Sequence, residues 1–82
     1  MDNHTNKVVM IKTANGEWVS GDSFWPKTTS QIIKGVRLSS MADAKKYVKT
    51  AEKRLKQGKL KTVNAVAEYD GNWNLVNITE EV

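Results

Sequence analysis

A single α+β domain is the fold this 82-residue sequence predicts, with the order β-β-β-α-β-β and one helix packed on one face of an antiparallel sheet. Three observations carry the prediction. Asn15-Gly16 and Asp70-Gly71 each interrupt a β-type run in the manner of a tight hairpin turn. The spacing of apolar residues becomes helical once, after Ser40. A chain of this length is enough for one small core and too short for two.

Taken in order, Val8 to Thr13 is rich in β-branched and apolar residues, and Glu17-Trp18-Val19 resumes the extended pattern after Ala14-Asn15-Gly16. Ser20 to Ser30 reads as a loop, because it holds Gly21, Asp22, the only proline at Pro26 and the polar run Lys27-Thr28-Thr29-Ser30. The third strand is expected at Gln31 to Leu38, on the strength of Ile32, Ile33, Val36 and Leu38. Gly35 there marks a bulge or a close backbone approach. Ser40 and Asp43 match the capping-box pattern ahead of Met41, Ala44, Tyr47, Val48, Ala51 and Leu55, and Gly58 stands where a helix would end. Leu60 to Tyr69 and Trp73 to Ile78 form the last hairpin around Asp70-Gly71. Residues 1–82 form one domain, with 1–7 and 79–82 expected to be flexible tails.

Composition narrows the function classes. Hydrophobic residues at 39% and charged residues at 27% are ordinary for a globular chain, and no apolar run is long enough to span a bilayer. Residues 1–7 lack the pattern of a secretory signal, and the absence of cysteine excludes disulfides and thiolate chemistry, so a reducing cytoplasm is the expected location. Asn3-His4-Thr5 and Asn77-Ile78-Thr79 match the glycosylation pattern, but without export they read as chance.

Catalytic groups are sparse. His4, the one histidine, falls in the expected tail, where neither a held geometry nor a second ligand is available to it. The nine carboxylates are scattered and the five glycines never cluster into a phosphate loop. No catalytic residue, metal site, cofactor or small-molecule substrate is therefore expected, nor is an enzyme.

Two surface features remain. On a helical projection, Lys45, Lys46, Lys49, Lys53 and Lys56 fall within one arc of about 100° beside the apolar face, with Lys59 and Lys61 following. Exposed lysine is common on small domains and aids solubility; the functional reading is a stripe for an acidic protein or a phosphate backbone. Arg37 and Arg54 are the only arginines, which suits nonspecific rather than base-specific contact. The second feature is aromatic. Trp18 and Trp73 are expected in the core, whereas Phe24-Trp25 in its polar loop either packs back on the domain or presents an anchor to a partner.

The junction Gly35-Val36-Arg37-Leu38-Ser39-Ser40-Met41-Ala42-Asp43-Ala44, a strand ending in a Ser cap before a helix, resembles one in small uncharacterised α+β proteins of phages and prophages. It is also similar to one in the arm-binding domains of phage-type integrases. The integrase resemblance implies a DNA-reading sheet with Lys12, Lys34 and Arg37 as contacts; the second hairpin and the long segment from Asn15 to Lys34 depart from that pattern.

The sequence thus leads to a small non-catalytic interaction protein, of phage derivation if that resemblance is followed, binding or inhibiting a protein partner with an acidic surface through the lysine stripe or Phe24-Trp25. The alternative is a nucleic-acid-binding accessory protein using its basic surface. A homo-oligomer through an exposed edge strand is left open, and no membrane partner is expected.

Overall fold

In the computed structural model, which describes residues 3–81, five strands and one long helix follow one another as β1 His4–Lys12, β2 Trp18–Asp22, β3 Trp25–Thr29, α1 Met41–Leu55, β4 Lys61–Tyr69 and β5 Leu75–Glu80. The β-β-β-α-β-β order and the α+β class are as the sequence predicts. All strand pairings are antiparallel, in the spatial order β3-β2-β1-β4-β5.

The third strand is not where it was expected. Trp25–Thr29 forms β3, and the segment placed in a strand instead carries a short 3-10 helix, Ile32–Lys34. Pro26 had marked a loop, but β3 is an edge strand, where a missing N–H is tolerated. Asp22 Oδ1 accepts the Phe24 N–H at 2.8 Å and closes the turn that joins β2 to β3.

Part of the expected strand survives as a wedge. β1 and β2 pair only near their turn, at Lys12 and Trp18, and then separate. Val36 to Leu38 fills the gap: Val36 N–H donates to Val19 O at 2.9 Å, while Val9 and Leu38 exchange two bonds of 2.8 Å. Gly35 lets this segment lie flat on the sheet, since a Cβ there would stand 2.7 Å from Met10 Cε and 3.3 Å from Trp18 Cβ. The close approach anticipated at Gly35 is thus real, although the bulge is not.

Alternation along β1 splits the core into two layers. Val9 and Ile11 join Val19, Leu60 and the helix residues Ala44, Tyr47 and Ala51 on one face. Met10 joins Trp18, Ala65, Ala67 and Ile78 on the other, with Ile32 of the 3-10 helix packed against them. Both faces of the middle of β1 are therefore dry, which explains the consecutive buried residues Val9, Met10 and Ile11.

Ser40 caps α1 as predicted, its Oγ accepting the Asp43 N–H at 3.2 Å. Asp43 does not complete the box; its Oδ2 takes the Ser39 hydroxyl. The helix ends sooner than Gly58, with Lys56 at the C-cap in the left-handed region (φ 56°). Glu52 Oε1 accepts the Leu60 N–H at 3.2 Å, which turns the chain back toward β4.

Neither terminal segment is a tail within the described residues. His4 to Lys7 pair with Tyr69 to Val66, and Thr79 and Glu80 pair with Val66 and Ala65. The first two residues and Val82, also assigned to the tails, lie outside the described residues.

Candidate functional site

The turn between β2 and β3 places two aromatic side chains side by side in solvent. Phe24 is 54% exposed and Trp25 75%. The hairpin beneath them is held from both sides. Tyr47 Oη on α1 donates to Gly21 O at 2.8 Å, reaching across from the helix, and Asp22 holds the turn itself. Burial pushes the Tyr47 hydroxyl up to about 12, with the nearby Asp22 carboxylate adding to the effect, so it remains a donor at neutral pH.

Arg54 is the residue that sequence reasoning missed. Its guanidinium carbon lies 5.5 Å from the Phe24 ring centre and 5.9 Å from that of Trp25. Helical projection would have set Arg54 on the Tyr47 flank of α1, but nothing in the sequence showed that the turn folds back to meet it. The three side chains form one cation–aromatic surface.

The arrangement adds little to stability for the apolar surface it leaves in water. A tryptophan carries about 150–250 Å² of surface, so leaving three quarters of it wet forgoes roughly 3–5 kcal/mol of burial. Exposed cation–aromatic contacts return only about 0.5–1 kcal/mol each.

The lysine stripe is elsewhere. Lys45, Lys46, Lys49, Lys53 and Lys56 are all exposed, and none is in an ion pair among the described residues, where the only pair is Lys12 with Glu80 at 3.1 Å. The middle of the stripe is roughly 130° around the helix from Arg54 at 3.6 residues per turn. The two surfaces expected from the sequence therefore face different directions.

Trp18 is in the core as expected, with the Lys12 ammonium 4.9 Å from its ring centre. Trp73 is not: it is 58% exposed, in a left-handed backbone conformation (φ 62°). The turn makes this possible. Asp70 Oδ1 accepts the N–H groups of Asn72 and Asn74 at 2.8 and 2.9 Å, and Trp73 N–H donates to Asp70 O at 2.9 Å. These amide donors, Asn74 foremost and then Asn72, hold the Asp70 carboxyl below its ordinary range.

His4 stacks flat on Trp73, 4.0 Å between ring centres and 3° between planes, with Tyr69 tilted against the same indole at 5.9 Å. The histidine thus has a held geometry, contrary to its expected place in a tail. No group of three potential metal ligands occurs among the described residues.

Of the contacts implied by the integrase resemblance, Lys12 is ion-paired on β1, Lys34 ends the 3-10 helix, and Arg37 leans back on Ile33 O at 3.4 Å. Only Lys12 of the three lies on a strand of the sheet. No helix among the described residues is long and apolar enough to cross a membrane. No family model matches the chain, and neither does any curated protein or solved structure.

Proposed function

We propose that this chain is a non-catalytic binding module that engages a protein partner through the β2–β3 turn, with Phe24 and Trp25 as its anchor. One observation carries the reading: two adjacent aromatic side chains stand in solvent on a hairpin whose backbone is fixed by Tyr47 and Asp22. A fixed presentation lowers the ordering cost of binding, and tryptophan is enriched among residues that dominate interface energetics.

A second reading, a nucleic-acid-binding accessory protein, draws on the five lysines along α1 and at its C-cap, none of them in an ion pair among the described residues. It would use a different face, so one pair of variants separates the two. Binding to labelled duplex DNA, single-stranded DNA and RNA is titrated from low to physiological salt, and partner capture by the immobilised protein is measured in parallel. The anchor reading expects capture to be lost with Trp25→Ala and kept with Lys49→Glu/Lys53→Glu. Submicromolar, salt-steep nucleic-acid binding, lost only in the double lysine variant, would replace it.

A further inference from the structure

We infer that Arg54 makes the tip selective for an acidic residue set beside an apolar one in the partner; the inference rests on the anchor reading above. The guanidinium lies within 6 Å of both ring centres, and no carboxylate of the described residues pairs with it. A guanidinium held against aromatic rings keeps its edge free, and that edge presents N–H donors in the fork that matches a carboxylate.

The surrounding charge points the same way. Lys27 lies two residues beyond Trp25 on β3, so it leaves the strand on the same side, and both are exposed. The one acid at the turn, Asp22, already commits an oxygen to the Phe24 N–H. The tip therefore offers a large apolar surface rimmed by two cations. Its complement is a short segment with an aromatic or aliphatic side chain for Trp25 and a neighbouring Asp or Glu for Arg54.

An anionic bilayer also offers apolar depth beneath negative charge, but the shape of the molecule disfavours it. A flat surface meeting the tip would not meet the lysine stripe, which is roughly 130° away around α1. The five lysines of that stripe would face away from the lipid. A peptide segment needs only the local cluster.

The test is selection of a displayed random peptide library against the full chain, with enriched peptides then titrated by fluorescence polarisation. The expected result is enrichment of Asp or Glu beside a large apolar residue, with affinity falling about tenfold or more for Arg54→Ala and for Trp25→Ala. Arg54→Lys should recover little, because an ammonium lacks the fork. Unchanged far-ultraviolet circular dichroism and a cooperative thermal unfolding transition are required of each variant.

Peptides without acidic enrichment, or that bind Arg54→Ala as well as wild type while failing on Trp25→Ala, would overturn the inference and leave the anchor reading standing. Enriched peptides indifferent to both substitutions would overturn both. A library yielding nothing would overturn the inference, and binding to phosphatidylserine vesicles that requires Trp25 would transfer the tip to lipid.

Discussion

Tyr47 does two jobs with one side chain: its ring fills the helix-side core and its hydroxyl pins the hairpin. Tyr47→Phe should keep the ring packing and cost about 1 kcal/mol, the net value of one hydrogen bond, in urea unfolding. The hydroxyl's raised pKa gives a sign that can be checked. Its ordinary value is 10.0 and its folded value about 12, so the stability it contributes is complete below pH 10 and is lost as pH rises through 12. Wild type should therefore lose stability more steeply than Tyr47→Phe across that window. Gly35 offers a second test, since a methyl group there meets the fully buried Met10 side chain at 2.7 Å. Gly35→Ala should destabilise by about 1–3 kcal/mol, and shortening Met10 to Val in the same chain should cost less than the two single changes summed.

Among the elements, the β4–β5 turn is organised around one carboxylate. Asp70→Ala should release Trp73 from its left-handed backbone and from His4, seen as lost near-ultraviolet dichroism and as new exchange at the Asn72 and Asn74 amides. Because the Asp70 pKa is lowered from 3.8, the stabilisation it gives is present above about pH 4 and fades as pH falls through the depressed value. Acid should loosen this turn in wild type and change little in the variant. The element order was legible because Asn15-Gly16, the turn at Asp70 and the Ser40 cap are local signals, although the second turn extends to Asn74, with Trp73 rather than Gly71 left-handed, so that β5 begins at Leu75 and not at Trp73. The third strand was misplaced because edge position is a tertiary fact: Pro26 breaks an inner strand and is harmless at a rim. No local signal marks the place of His4 for the same reason, since its partners lie 65 and 69 residues onward at Tyr69 and Trp73.

Over the whole molecule, charge and aromatic surface are divided between faces, and that division was half visible in the sequence. The lysine stripe follows from 3.6 residues per turn alone, and the exposed side chains are where the projection put them. The tip required knowing that a turn after β2 returns to the helix, which no spacing within Ser20 to Ser30 encodes. A further consequence follows from the way β1 and β2 part company and Val36 to Leu38 closes the breach. Val9 exchanges both its bonds there with Leu38 and Val19 O takes the Val36 N–H, so without Val36 to Leu38 both walls of that opening would have these groups left to water. The first hairpin is thus only half a unit: its strands are joined at the turn and otherwise linked through the segment that leads into the helix.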